Sequence, residues 1–550
     1  MNISALQKER AKYQPKLPKS LKGHLDMVEG EKTQSIADQD EVASLFPNTY
    51  GMPIINFVEG SQSRTFDPVN VGVILSGGQA PGGHNVISGI YDGVKRIHPN
   101  SRVFGFLGGP GGLVKHEYIE LNAEIIDEYR NTGGFDIIGS GRTKLEEHAQ
   151  FDKGLQIIKD LGLNALIVIG GDDSNTNACV LAEYYAAKKA DVRVIGCPKT
   201  IDGDLKNEMI EASFGFDTAT KVYSELIGNI QRDANSAKKY WHFIKLMGRS
   251  ASHIGLECAL KTQPNITLIS EEIADEKTTL DQIVEYMAEV IANRAEHGDN
   301  FGVALIPEGL VEFVPEMKTL IGELNDLLAE GTKTAEIFQN VKKSYRLEWV
   351  AEKISRESAV VFKSLPPGIA NQLTLDRDPH GNVQVSLIET EKLLGEMVKT
   401  KLEEMKKDGK YVGKFSAQYH FFGYEGRCAA PSNFDADYCY SLGYTAAVLV
   451  ATGKTGYMSS VRNLTAPAEE WIAGGVPITM MLNMEKRHGH MKPVIQKALV
   501  DLKGAPYRYF ISKRAEWALR TSYIYPGPIQ YFGPTEVCDQ PTETLKLEQA

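Results

Sequence analysis

The stretch Gly170-Gly171-Asp172-Asp173-Ser174-Asn175 follows the apolar run ALIVI (165–169) and precedes a segment with helical character. Glycines between a strand and a helix start suit a phosphate, because backbone N–H groups can approach the anion there. Two adjacent carboxylates are unexpected in such a place. Asp172 is suited to hold magnesium, whose octahedron is completed by hard oxygens, including those of a bound phosphate. An aspartate that merely caps the helix explains one of the two residues but neither the second nor the glycines.

Other polar clusters follow apolar runs in the same way. CPKTIDGD (197–204) puts Lys199, Thr200, Asp202 and Asp204 within a short span directly after VRVIG. A carboxylate there could accept the proton of a substrate alcohol while the lysine steadies phosphate charge. Taken alone, the segment fits a solvated charged turn equally well. KLMGRSASHIG (245–255) runs an apolar stretch into Met247, Gly248 and Arg249, and LIPEG (305–309) and YEGR (424–427) repeat the theme. A single Arg249 or Glu308 is more often a structural ion pair; several such residues at strand ends point to one substrate cleft.

Two glycine-rich stretches need a separate judgement. LSGGQAPGGHN (75–85) follows a strand-like run but has neither the G-x-G-x-x-G order nor the Walker ending. ATGKTG (451–456) contains Gly-Lys-Thr, yet Val448 stands where the first Walker glycine belongs. Each alone is as good a structural turn as a ligand site.

These residues must be positioned by alternating elements. VGVIL (71–75), RVFGF (102–106), ALIVI and VRVIG (192–196) read as buried strands, with amphipathic helices over 146–162 and 174–189 between them. YWHFIKLM (240–247), NITLI (265–269) and FGVALI (301–306) form a second series, and strand-like text resumes at AQYHFFGYEGR (417–427). Such alternation implies βαβ units and parallel sheets, whose ligands gather beyond the carboxyl ends of the strands. Residues 311–410 are charged, amphipathic and poor in strand formers, which predicts a mostly helical insertion. Residues 1–65 are polar and predict an extension that wraps the surface or mediates assembly.

Bulk composition narrows the function classes. A chain of 550 residues exceeds one ordinary core. Its formal net charge of −11 argues against nonspecific nucleic-acid or membrane binding. The longest apolar runs fall far short of a membrane span, and the N-terminal text lacks the apolar core of a signal peptide. Six cysteines without a C-x-x-C pair suggest neither zinc nor a disulfide framework, so a reducing cytoplasm is expected.

In order along the chain, GGDDS, PKTIDGD, MGR, PEG and YEGR resemble the motifs of the phosphofructokinases. The resemblance spans roughly residues 70–310 and 410–480. The length, the helical insertion and the N-terminal extension are similar to the long pyrophosphate-dependent branch. ATP-using relatives generally carry Gly-Gly-Asp-Gly and Pro-Gly-Thr-Ile-Asp, whereas Asp173 and Lys199 replace a glycine in each motif here. An Asp173 side chain would fill the space of a nucleoside and α-phosphate. Its charge adds about 4 kcal/mol of repulsion to an anion about 4 Å away at an effective dielectric of 20. Lys199 supplies positive charge for the leaving phosphate of a smaller donor.

The resemblance implies an α/β fold: two Rossmann-like three-layer domains with parallel-rich sheets, the phosphofructokinase fold, plus the insertion. It implies reversible phosphoryl transfer from pyrophosphate to the 1-hydroxyl of fructose 6-phosphate. Asp202 would be the general base, with Lys199 and Asp173 completing the catalytic set; Gly77 would meet pyrophosphate through its backbone, helped by Arg142 and Lys199. Asp172 would hold Mg2+. Thr200, Ile201, Met247, Gly248, Arg249 and Glu308 would line the sugar, with Asp204 flanking the reacting groups. The turn Tyr424, Glu425, Gly426 and Arg427 would hold the 6-phosphate, although histidine is more usual at position 424 in bacterial ATP enzymes. Lys239 and Tyr240 would reach the neighbouring subunit's cleft in a homodimer, with higher or heteromeric assembly also open.

The expected domains are a donor domain of 66–213 with 427–480, and a sugar-phosphate domain of 214–310 with 411–426 and 481–550. An ATP-dependent phosphofructokinase is disfavoured by Asp173 and Lys199. A GGDG-type kinase acting on NAD or lipids is disfavoured by the remaining motifs. A regulatory subunit would be expected to lose the base or the metal ligand, and Asp172, Lys199 and Asp202 are all present.

Overall fold

The computed structural model describes residues 4–62, 65–329, 332–375, 383–487, 490–529 and 539–550. Along the chain the strands are β1 (Leu25–Lys32), β2 (Pro53–Glu59), β3 (Asn70–Leu75), β4 (Arg102–Phe106) and β5 (Tyr118–Leu121). Next come β6 (Ala165–Gly170), β7 (Arg193–Pro198), β8 (Trp241–Leu246), β9 (Ile266–Thr267) and β10 (Gly302–Pro307). The series ends with β11 (Ala417–Phe422), β12 (Tyr457–Arg462), β13 (Ile472–Pro477), β14 (Leu482–Arg487) and β15 (His490–Ile495).

The chain divides into two compact units. The first comprises Met1–Val222, Tyr424–Ala498 and Ile529–Ala550. Its main sheet has the order β1-β2-β13-β12-β7-β6-β3-β4-β5. The run from β12 to β4 is parallel, and both flanks are antiparallel. Central strands such as ALIVIG are buried throughout because helices cover both faces, which is why they read as unbroken apolar runs. Ile74, Phe104, Leu166, Val168, Ala178 and Leu181 belong to one core. The helices Gly83–Ile97 and Asn433–Ala451 pack backbone to backbone. A Cβ on Gly89 would meet the Tyr440 carbonyl oxygen at 2.1 Å, and one on Gly443 would meet that of Val86 at 1.9 Å.

The second unit comprises Tyr223–Gly423 and Leu499–Pro528. Its sheet, β11-β8-β10-β9, is parallel throughout. Apolar residues of the helices Pro315–Leu327 and Thr390–Lys407, including Met317, Leu320, Leu393, Leu394 and Val398, share one core with Trp241, Phe243 and Ile291.

These boundaries differ from the sequence expectation in three respects. Residues 1–65 are not a separate extension, since β1 and β2 lengthen the main sheet at its antiparallel edge. Their signal is weak for a physical reason: β1 is a charged, largely exposed edge strand and β2 buries only Ile55 and Phe57. Segments 214–222, 424–426, 481–498 and 529–550 fall in the first unit; for 481–498 the reason is the β14–β15 hairpin, whose end at Ile495 anchors on Thr176. The described residues of the 311–410 insertion are mostly helical, but its helices belong to the second unit's core.

Candidate active site

In the first unit the strand β6 ends at Gly170, and the helix Asp172–Ala187 begins directly after Gly171. Gly171 holds the N-cap position and both aspartates lie in the first turn, where the Asp172 carboxylate accepts a hydrogen bond from the Asp173 backbone. The local lock is Asn175, fully buried, whose Nδ2 donates to the carbonyls of Gly170 at 2.6 Å, Gly171 at 3.0 Å and Cys197 at 3.3 Å. It therefore ties the end of β6 to the end of β7. Ser174 Oγ donates to Ser76 Oγ at 2.8 Å and joins this turn to the LSGG loop.

Lys199 follows β7, and its amide donates to the Gly170 carbonyl at 3.0 Å. The side chain is buried, and its Nζ lies 3.5 Å from where a Cβ on Gly77 would sit. Gly77 itself has φ +83°, a conformation that L side chains rarely adopt. Burial pulls the Lys199 ammonium down to about 8; Asp202 and Asp172 oppose that shift, and Arg427 and Arg142 add to it. Lysine, two aspartates and two arginines thus share one electrostatic neighbourhood. Arg142 and Arg427 both flank Gly78: a Cβ there would be 3.8 Å from Arg142 Nη2 and 3.6 Å from Arg427 Nη1.

Gly77 departs from the expected picture of a free backbone donor. Its N–H donates to the Gly141 carbonyl at 2.9 Å, so that amide is already engaged. Thr200 Oγ1 accepts from the Asp202 amide at 3.0 Å, fixing the turn that carries the carboxylate. Ile201 is buried beneath it. Asp173 is half-exposed, with Lys144 Nζ at 3.6 Å. Gly-Lys-Thr of 453–455 is structural here: Lys454 pairs with Glu29, and Thr455 Oγ1 accepts from the Val194 amide.

Asp172 Oδ2 and Asp204 Oδ2 lie 3.6 and 3.7 Å from one ammonium, that of Lys497. Burial raises the Asp172 carboxyl above its usual range, Lys497 counteracts this, and Asp173 and Asp204 push it further up. Among the described residues no group of three or more His, Cys, Asp or Glu could hold a metal. Two carboxylates converging on one cation do suit Mg2+, which takes one or two protein carboxylates and fills its shell with water and substrate phosphate. The donor set fits that ion.

Tyr424, Glu425, Gly426 and Arg427 form a single helical turn in the first unit. The Arg427 guanidinium stacks on the Tyr424 ring at 4.8 Å, while its Nε is buried without a hydrogen-bond partner among the described residues. Tyr424 and Glu425 are exposed. Arg427, expected on the sugar side, thus also stands over the donor loop.

The second unit carries its own set. Gly248 N–H donates to Glu308 Oε2 at 3.0 Å, and Glu308 is buried with its Oε1 unpartnered among the described residues. The Met247 amide donates to the Phe422 carbonyl at 2.9 Å, so MGR extends from β8 alongside β11. Gly309 seats this loop, since a Cβ there would lie 1.9 Å from the Arg249 carbonyl oxygen. The Arg249 side chain is exposed. Lys239 is exposed too, its Nζ 5.1 Å from the centroid of the Tyr240 ring.

Asn175, Gly78 and Lys497 were not singled out from sequence. Asn175 sits inside the GGDDSN stretch and could have been suspected. Lys497 lies in IQKALVD, which has no motif to mark it.

A family model described as Phosphofructokinase matches residues 70–450, and the chain belongs to that family. Within it, the chain is 61% identical over 549 residues to the pyrophosphate–fructose 6-phosphate 1-phosphotransferase of Porphyromonas gingivalis, covering 100% of both. It is 57% identical over 561 residues to the enzyme of the same name from Treponema pallidum, covering 100% of this chain and 98% of that one. The solved structure of a pyrophosphate-dependent phosphofructokinase from Marinobacter aquaeolei matches with a TM-score of 0.53 at 15% identity, over 83% of this chain and 93% of that one. This last likeness bears on the fold alone.

Proposed function

We propose that the chain catalyses the reversible transfer of a phosphoryl group from pyrophosphate to the 1-hydroxyl of fructose 6-phosphate, giving fructose 1,6-bisphosphate and phosphate. The observation that carries this reading is the buried Lys199 ammonium under Gly77, in the common field of Asp172, Asp202, Arg142 and Arg427. A buried cation at the end of a strand suits a compact anionic donor. The full-length similarity to enzymes named for this reaction supports it.

Phosphoryl transfer needs little beyond positioning and charge neutralisation. Lys199, with Arg142 and Arg427 over Gly78, balances the charge of the donor and of the departing phosphate. Asp202 accepts the proton of the 1-hydroxyl as its oxygen bonds to the transferring phosphorus and the bridging P–O bond of pyrophosphate breaks. Thr200 keeps that carboxylate in place through the Asp202 amide. Asp172, with Asp204 beside it, would hold Mg2+, which when bound shields the negative charge of the phosphates. Glu308 takes sugar hydroxyls at Oε1, its other oxygen being held by Gly248. Met247 and Arg249 line the sugar, and the stacked Tyr424–Arg427 turn takes the 6-phosphate.

Donor chemistry then belongs chiefly to the first unit and the sugar loops MGR and PEG to the second. Lys239, exposed, and the half-buried Tyr240 beneath its ammonium are suited to serve the neighbouring subunit of a homodimer. A cytoplasmic setting fits the free cysteines among the described residues, and no described helix is long and apolar enough to cross a membrane.

The deciding experiment compares donors at fixed fructose 6-phosphate and Mg2+. Turnover with pyrophosphate and little with ATP is expected. Strong turnover with ATP and none with pyrophosphate would overturn the donor assignment.

A further inference from the structure

The hairpin β14–β15 delivers one side chain that neither the motifs nor the mechanism uses. The Ile495 amide donates to Thr176 Oγ1 at 3.1 Å, and the Gln496 amide donates to the Met481 carbonyl at 3.0 Å. Two residues on, the Ala498 amide donates to the Asp204 carbonyl at 2.8 Å. Lys497 is therefore held by its backbone on both sides, next to the start of the helix Asp172–Ala187 and to the end of CPKTIDGD.

Its side chain uses that placement. One ammonium spans Asp172 Oδ2 at 3.6 Å and Asp204 Oδ2 at 3.7 Å, and it is only one-third exposed. Two carboxylates sharing so small a space repel each other unless a cation lies between them. In this chain the cation is covalently attached. An ammonium and a divalent ion cannot both sit against the same oxygens, because their own repulsion at that range is larger than that between the carboxylates.

We propose that Lys497 is a positioning residue that holds Asp172 and Asp204 together in the metal-free enzyme and competes with the divalent cation for them. It sets how tightly the enzyme takes up metal before the donor arrives. The inference rests on Asp172 being the metal carboxylate.

The test uses the full chain without substrates. Mn2+ is titrated into wild-type, K497Q, K497R and D172N proteins, with the free ion read by electron paramagnetic resonance and the melting temperature recorded on the same samples. Removing a unit charge at this distance should tighten Mn2+ binding in K497Q at least about tenfold. K497R should remain near wild type, and D172N should lose the site. In EDTA K497Q should melt below wild type, and Mn2+ should restore it; a lysine with only a packing role would leave a loss that Mn2+ does not repair. K497M, which keeps the aliphatic stem, provides the same comparison if K497Q does not fold. Unchanged or weaker Mn2+ binding in the neutral variants, with D172N still abolishing it, overturns the role of Lys497. Mn2+ binding that survives D172N overturns the metal assignment and this inference with it.

Discussion

The Lys199 ammonium lies where the missing side chain of Gly77 would point, 3.5 Å from that virtual Cβ. One residue contributes by the side chain it lacks and the other by its charge, while their amides are anchored on Gly141 and Gly170. A Cβ at 77 would only touch the ammonium, but any side chain there would have to adopt a positive φ, and one longer than alanine would reach into the space the lysine occupies.

The first consequence concerns pH. With its folded value near 8, Lys199 loses its proton well before an exposed lysine does. The kcat/KM for pyrophosphate, which reports the free enzyme, should fall as pH rises through about 8. Stability should move the opposite way. The unfolded chain holds this proton up to the ordinary lysine range, so between about 8 and 10.5 the group makes folding more favourable as pH rises. K199R should shift the activity loss to higher pH, because arginine stays charged. A profile unchanged in K199R would remove Lys199 from the donor site.

Asp202 can be separated from binding. D202N retains the shape of the turn and the Thr200 contact but cannot accept the proton. Turnover should drop at least about 10²-fold with the KM for fructose 6-phosphate little changed. Near-normal steady-state rates would assign the proton to another group.

Asp173 tests donor choice. Its pairing with Lys144 is exposed on both sides and should be worth no more than about 1 kcal/mol, so D173G should fold. The ratio of kcat/KM for ATP to that for pyrophosphate should rise. An unaltered ratio would show that neither the bulk nor the charge of Asp173 excludes the nucleotide.

Glu308 has one oxygen engaged and one waiting. E308Q places an amide where the carboxylate was, weakening a charge-assisted hydrogen bond worth about 1.5–3 kcal/mol. The KM for fructose 6-phosphate should rise roughly 10- to 100-fold, with the KM for pyrophosphate near wild type. Equal effects on both substrates would argue for a general disturbance of the loop.

The parts legible in the sequence were those where one physical requirement governs a whole run. Parallel strands buried on both faces must be apolar throughout, and ALIVIG and VRVIG announced themselves. Phosphate chemistry concentrates glycine, lysine and aspartate at strand ends, which made GGDDSN and CPKTIDGD visible before any fold was known. Elements governed by partners far away in sequence stayed hidden. The edge strands β1 and β2 carry half-exposed, charged text, and Lys497 acquires its meaning only from the hairpin that carries it. Gly77 stands out in the sequence for its backbone; in the structure its N–H is committed to Gly141, and its positive φ and the Lys199 ammonium beside it are visible only once the chain is folded.

The helices between 315 and 407 share their apolar side chains with β8 and the helix Leu280–Glu296 in a single core. A four-stranded sheet is small, and these helices roof part of it. The additional length is therefore not detachable cargo. A shortened chain that splices them out would expose the sheet face that Leu393, Leu394 and Val398 now cover, and would aggregate instead of behaving as a minimal enzyme.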